Sequence, residues 1–338
     1  MSNIVDVTDI DIFYISFDEP NMEENWADLK SKCPWAKRTH GVYGSDAAHK
    51  ACAKASDTDR FISVDGDNIV DPAFFDQVIN FDEADVNLDN SVISWCGKNS
   101  INGLVYGNGG IKCWPSQYVL DMKTHEIAEE EGSQVDFCWD LNYIQMNDAY
   151  SLVVNNDTPY QAYRAGFREG VKMSLDRGFK VDPDNFEKSL HNKNFHRLLT
   201  WMNIGEDVKN GLWAIYGARL GCYLTNLDPN FDFVNVRDFK WHTEYFENEV
   251  MPKFVGNTDF CPKMKYNWDW DKLKTASMDL GQSLKKKLNI DVAEMDATAS
   301  RFFKKVYWNP PRMGNLVTEK DSEGRIMYKT IWPLKLTQ

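Results

Sequence analysis

The triplet Asp65-Gly66-Asp67 directly follows the apolar run Phe61-Ile62-Ser63-Val64. In an extended segment, side chains two residues apart point the same way, so both carboxylates can reach one divalent cation. The glycine between them lets a ligand approach the backbone. Mg²⁺ or Mn²⁺ held there would bridge a diphosphate and stabilise it as a leaving group. The alternative is a polar turn that caps the next element, and position in the fold decides between the two. An EF-hand loop is excluded because Val70 and Asp76 stand where glycine and glutamate are required. The run from Gly107 to Lys112 does not match the dinucleotide-binding glycine pattern and does not open a first helix.

The elements that must position this pair alternate. Residues 10–17 form a short β-rich run, closed by the turn-like Asp18-Glu19-Pro20-Asn21. A helix is expected over 22–32, with acidic residues early and lysines late. A second strand is expected over 36–42, then a helix over 47–56 capped by Ser45 and Asp46, then the strand from Arg60 to Val64. Strand, helix, strand, helix, strand predicts an α/β fold with a doubly wound, mostly parallel sheet. Ligands of such sheets sit at the carboxyl ends of the strands, where Asp18, Arg38 and the Asp65–Asp67 triplet all fall. Further strands are expected over 91–95 and 231–236, and helices over 160–175, 185–202, 206–220, 271–288 and 291–306.

FISVDGDN resembles the D-x-D segment of nucleotide-sugar-dependent glycosyltransferases of the GT-A fold. The stretch FDEPNMEENWADLKSK…AKRTHGVYGSDAAHKACAKASDTDRFISVDGDN is similar to a group of phage-encoded glycosyltransferases. YGNGGIKCWP, PYQAYRAGFREGVKM and GLWAIYGARLG are similar to further blocks of that group, over roughly residues 10–245. The resemblance implies a UDP-sugar donor, with Asp65 and Asp67 as diphosphate–metal ligands and Gly66 between them. It implies a late histidine as third ligand, for which His242 is the candidate; His191 and His196 fall in a helical stretch. It implies a nucleotide lying against Phe17 and Asp18, near Arg38 and Val42. In an inverting enzyme a carboxylate deprotonates the acceptor hydroxyl, and Asp140, then Asp136, are the candidates. Some enzymes of this broad class modify 5-hydroxymethylcytosine in phage DNA, which makes that base the expected acceptor.

Other residues admit two readings. Tyr106–Trp114 joins a glycine loop, with Gly109 and Gly110, to an aromatic face that suits a sugar ring, as does Trp139; the alternative is a tight turn with Trp114 in the core. Lys37 either offsets phosphate charge or lies in a solvated loop. His49 and Lys50, on the following helix, are expected on a solvent face, with a donor contact as the alternative. Arg164, Arg168 and Glu169 read as an exposed helical charge cluster, with a donor-facing role as the alternative.

Composition bounds the rest. The 338 residues, 43% hydrophobic and 26% charged, are those of a globular protein with two domains or one domain and an appendage. No apolar run is long enough to span a bilayer, and the N-terminus lacks the pattern of a secretory signal. Seven scattered cysteines without a C-x-x-C pair favour reduced thiols and a cytoplasmic location. The net charge of −13 is uneven: residues 263–338 carry 15 Lys and Arg against 9 Asp and Glu, whereas the preceding residues carry 23 against 42. An acidic catalytic domain over 1–255, with a helical insertion near 160–220, is therefore expected to precede a basic helical region over 256–338. Lys285, Lys286, Lys287, Arg301, Lys304 and Lys305 either bring DNA phosphates to the site or form a solubilising face. Trp308 and Trp332 are candidates to hold a displaced base.

The expected function is metal-dependent transfer of a sugar from a UDP-sugar to a hydroxyl. The alternatives are the same chemistry on a glycan or protein, and a catalytically silent nucleotide-sugar-binding protein. A two-metal phosphatase or nuclease fits less well, because no further motif supplies a second metal.

Overall fold

The computed structural model describes residues 3–107, 110–126, 142–256, 267–307 and 319–328. Strands β1 (Ile4–Asp6), β2 (Asp11–Ser16), β3 (Lys37–His40) and β4 (Arg60–Asp65) are interleaved with helices α1 (Met22–Lys32) and α2 (Ser45–Ala55). Then come β5 (Asn68–Val70), β6 (Val78–Asn80), β7 (Ser91–Asn99), β8 (Val105–Tyr106), β9 (Ile111–Pro115), α3 (Ser116–Asp121) and β10 (Asn142–Val153). A helical block follows: α4 (Pro159–Met173), the small hairpin β11 (Leu175–Asp176) and β12 (Phe179–Lys180), α5 (Phe186–Ser189), α6 (Asn192–Asn203), α7 (Gly211–Leu227) and α8 (Phe239–Tyr245). The chain continues through α9 (Trp270–Leu288), α10 (Ala297–Val306), β13 (Glu319–Lys320) and β14 (Ile326–Met327).

The fold is mixed α/β and its main sheet is mixed, in the order β3-β2-β4-β9-β7-β10-β5, with β8 on β7. β2 runs parallel to both β3 and β4, and β7 runs parallel to β10. β9 enters antiparallel between β4 and β7, and β5 closes the far edge antiparallel to β10. Apolar residues cover both faces. Ile12, Tyr14, Ile62 and Val64 pack with Leu29 of α1 and with Cys33 just past its end, whereas Phe13, Phe61 and Trp114 pack with α2 residues Cys52 and Ala53.

Four expected elements need correction. The helix expected over 291–306 begins only at Ala297, capped by Asp296. The expected strand over 231–236 is a 3-10 helix at Phe233–Arg237, because the Asp232 carboxylate caps it by accepting from Val234 N at 3.0 Å. The helix expected over 206–220 starts only at Gly211, since Asn210 holds a left-handed conformation at φ 57°. The stretch 185–202 is broken at the extended Leu190 and restarts where the His191 ring accepts from Lys193 N.

The helical block is held by α4 against α7. A Cβ added at Gly166 or Gly170 would lie 1.9 or 2.2 Å from the carbonyl oxygens of Ala214 or Ala218. Reciprocally, one at Gly217 or Gly221 would lie 2.3 or 2.4 Å from those of Tyr163 or Phe167. No side chain fits between the two backbones there. The basic region is not a detached tail. Arg219 of α7, only 1% exposed, donates to Ser277 O of α9 at 2.8 Å, to Ala293 O at 3.2 Å and to Glu294 at 3.0 Å. Beyond the expected helices, β14 pairs parallel with β6 and the buried Tyr328 packs on Phe81. No helix among the described residues is long and apolar enough to cross a membrane.

Candidate functional site

Asp65 is the last residue of β4 and lies opposite Ile15 of β2. Gly66 and Asp67 turn the chain into β5, so the two carboxylates flank a turn and do not share one extended segment. That turn is tied down through its backbone. The Gly66 carbonyl accepts from the Tyr14 hydroxyl at 2.7 Å and from Asn25 Nδ2 at 3.0 Å, Asp65 N donates to Gly110 O at 2.9 Å, and Asp67 O accepts from Val154 N at 2.7 Å. A Cβ at 66 would meet Glu19 Oε2 at 2.8 Å and the Ile15 carbonyl at 3.1 Å, so a side chain there would displace the Glu19 carboxylate and press on the β2 backbone. Gly110, at φ 77°, lies so close to Asn68 that a Cβ would sit 2.3 Å from Asn68 Nδ2. Asn68 in turn donates to Asp67 Oδ1 at 2.7 Å.

Three carboxylates crowd this turn. Burial, then the charges of Asp65 and Glu19, push the Asp67 carboxyl up to about 7, against the opposing pull of Asn68 and Arg164. Negative charge concentrated in this way suits a divalent cation. Asp65 and Asp67 would supply its protein oxygens, and Mg²⁺ in particular completes its sphere with water and phosphate oxygens. Among the described residues no group of three His, Cys, Asp or Glu side chains has metal-ligand geometry, so His242 is not gathered with the pair. His242 is 1% exposed within α8, packed edge-on to Phe167, and shares a 3.0 Å hydrogen bond between Nε2 and the Val236 carbonyl. Burial, aided by the Arg164 and Arg168 charges, lowers its pKa to about 3, so it is a neutral core imidazole.

The neighbouring strand ends carry the other expected donor residues. Phe17 (41% exposed) meets Tyr43 (63% exposed) edge-to-face at 5.8 Å, an open aromatic pair beside the half-buried Val42. Asp18 is exposed next to Phe17. Arg38 does not offer a free charge: it grips Glu23 at 2.8 and 3.0 Å, donates to Ser16 Oγ at 3.1 Å and lies over Tyr14 and Trp26. Lys37 is likewise committed, to Asp11 and Asp57. His49, expected on a solvent face, is buried against Trp114, and Lys50 pairs with Asp46 at 3.1 Å.

Arg164 and Glu169 depart from the exposed cluster expected of them. Glu169 accepts from the Tyr106 hydroxyl at 2.7 Å, beneath Arg197, whose guanidinium lies 4.7 Å from the Tyr106 ring. Arg164 is half-buried, stacked 4.1 Å over Phe239, with a buried Nε that has no hydrogen-bond partner. Burial and the like charge of Arg168 lower its pKa to about 10, whereas Tyr160, Asp18 and Asp67 pull the other way. The arginine thus lies within electrostatic reach of the carboxylate turn.

Trp114 cannot present a face to a sugar. It is fully buried, and its indole N–H donates to Ser63 Oγ at 2.8 Å. Gly109, Asp136, Trp139, Asp140, Trp308 and Trp332 lie outside the described residues. Of the basic candidates, Lys304 is a structural residue, bonded to Asp207 at 2.7 Å and to the Ile101 carbonyl at 3.1 Å. Lys285, Lys286, Lys287, Arg301 and Lys305 are exposed; Lys285 lies 3.6 Å from Asp291 and Lys287 lies 5.8 Å from the Tyr223 ring.

Sequence reasoning missed Tyr14, Glu19, Asn25 and Tyr43, and took Asn68 only as the residue that closes the D-x-D segment. Only two of the missed residues left a trace: Glu19 in the polar turn after β2, and Tyr43 as an aromatic residue just past a strand end. Known proteins add nothing to this geometry, since no family model, curated protein or solved structure matches the chain.

Proposed function

We propose that the chain is a GT-A-like glycosyltransferase that moves a sugar from a UDP-sugar to a hydroxyl, with 5-hydroxymethylcytosine in DNA as the leading acceptor. The observation that carries this reading is the Asp65-Gly66-Asp67 turn at the carboxyl end of β4, in a parallel trio with β2 and β3. A bound Mn²⁺ or Mg²⁺ supplies charge neutralisation for the departing diphosphate. The chain's own residues do the rest. Phe17 and Tyr43 offer ring faces on which a base can stack, and the Gly66 and Gly110 positions keep side chains away from the turn. Tyr14 and Asn25 fix the direction of the two carboxylates through the Gly66 carbonyl. The exposed Lys285–Lys287 run, with Arg301 and Lys305, supports a contact with DNA phosphates.

The test is a mass-spectrometric transfer assay with Mn²⁺, a panel of UDP-sugars, and DNA with or without 5-hydroxymethylcytosine. A hexose or pentose mass is expected on the modified DNA alone, and Asp65→Asn with Asp67→Asn should abolish it while leaving the protein folded. UDP release without a DNA adduct would redirect the search to glycan or protein acceptors. No UDP release and no transfer with any donor or acceptor would overturn the proposal.

A further inference from the structure

We infer that Arg164 and Arg168 of α4 form an anion-binding site that takes phosphate groups directly, beside the carboxylate turn and without requiring a metal. The inference rests on the proposed transfer chemistry only for the name of its natural ligand, the diphosphate of the donor. The argument for the site itself is independent. Arginines four residues apart on a helix project from the same face. Two guanidinium groups so placed repel each other, and Arg168 indeed disfavours the charge on Arg164. Such pairs are normally offset by carboxylates, yet neither arginine makes an ion pair or a hydrogen bond among the described residues. The partial desolvation of Arg164 makes this costly, because stacking on Phe239 only partly offsets the hydration lost.

The surroundings limit what the missing partner can be. Phe239 covers one face of the Arg164 guanidinium at 4.1 Å and Nε is sealed, whereas the terminal nitrogens are not among the buried unpaired atoms and so keep access to solvent. A planar fork approached from its terminal side matches two oxygens of one phosphate group. Asp18 and Asp67 act on Arg164 electrostatically without forming an ion pair with it, so the guanidinium keeps its fork free for a ligand. A phosphate chain can span the gap: one phosphate sits on the arginines and the next faces the turn. The helix is immobile enough to serve as the platform, because α4 is held to α7 by backbone contact at Gly166 and Gly170, on either side of Arg168.

Titration calorimetry of the full chain with inorganic pyrophosphate, in the presence of a chelator, tests this. Wild type should bind pyrophosphate. Arg164→Gln and Arg168→Gln should each weaken that binding at least about tenfold, and Arg164→Lys should restore only part of it, having charge but no fork. Asp65→Asn with Asp67→Asn should leave metal-free binding intact or tighten it, while removing any gain on adding Mn²⁺. Thermal unfolding of Arg164→Gln without ligand should change little, since the lost stacking on Phe239 is offset by relief of the repulsion from Arg168. Failure of wild type to bind without metal, or binding by both Gln variants equal to that of wild type, would overturn the site. If pyrophosphate binding depends on the arginines but no sugar is transferred, the anion site stands and the transferase reading falls. Transfer with normal pyrophosphate binding in the Gln variants gives the reverse.

Discussion

The two charged halves of the candidate site are held in place by different physics. The carboxylate turn is held by hydrogen bonds: the Tyr14 hydroxyl and Asn25 amide on the Gly66 carbonyl, and backbone bonds to Gly110 and Val154. The arginine helix is held by contact, with glycines of α4 and α7 pressed against facing carbonyls. Bonds of the first kind contribute about 1 kcal/mol each and can be removed singly. Contacts of the second kind have no intermediate state, since a backbone either approaches or is pushed away. The acidic half should therefore degrade by degrees, and the basic half should fail abruptly.

The sharpest way to break this contrast is Gly166→Leu. A Cβ already collides at 1.9 Å with the Ala214 carbonyl, so a loss of more than about 3 kcal/mol, or no folded protein at all, is expected in denaturant unfolding. A stable Gly166→Leu protein with native metal-free pyrophosphate binding would show that the helix contact is not what places the arginines. Next, Tyr14→Phe and Asn25→Ala should each cost roughly 1–2 kcal/mol, and together they should weaken Mn²⁺ binding more than pyrophosphate binding. Equal weakening of both ligands would mean that the two halves are not separately supported.

A smaller effect concerns protons. The Asp67 carboxyl is raised to about 7 in the folded chain, above the roughly 3.9 of an unfolded aspartate. The native state then holds more protons than the unfolded state between these values. Its contribution to stability is therefore present at low pH and is lost as pH rises towards 7, by at most about 1.4 kcal/mol per unit before solvent screening is discounted. Asp67→Asn should flatten that slope in unfolding curves taken from pH 4 to 8, and saturating Mn²⁺ should flatten it in wild type. The smallest expected change is Tyr43→Ala, which should weaken UDP binding about fivefold to tenfold and leave the unfolding midpoint unchanged. A drop in that midpoint would make the aromatic pair a packing feature.

Much of this arrangement was legible in sequence where local physics governs. The helix Met22–Lys32 begins and ends where its charge pattern says it should, and Asp65 does end a buried strand. What failed depends on distant partners. Strand direction is not encoded in periodicity, so the antiparallel insertion of β9 between β4 and β7 left no trace. Trp114 looks the same in sequence whether it faces a sugar or Ser63. Lys304 reads as a surface cation until Asp207 is folded beside it, and Arg164 reads as exposed until Phe239 covers it. His242 follows a stretch whose apolar alternation imitates a strand, although Asp232 winds it into a 3-10 turn.

The contact between α4 and α7 also governs movement. Two helices touching backbone to backbone can neither rotate nor slide against each other without lifting apart, so they behave as one solid piece on every timescale short of unfolding. For the transfer proposed above, opening of the site is then expected on the sheet side, in the loop around Asp18. Amide hydrogens of α4 and α7 should accordingly be among the last to exchange with solvent, while those of residues 17–20 exchange early and slow down when nucleotide is bound.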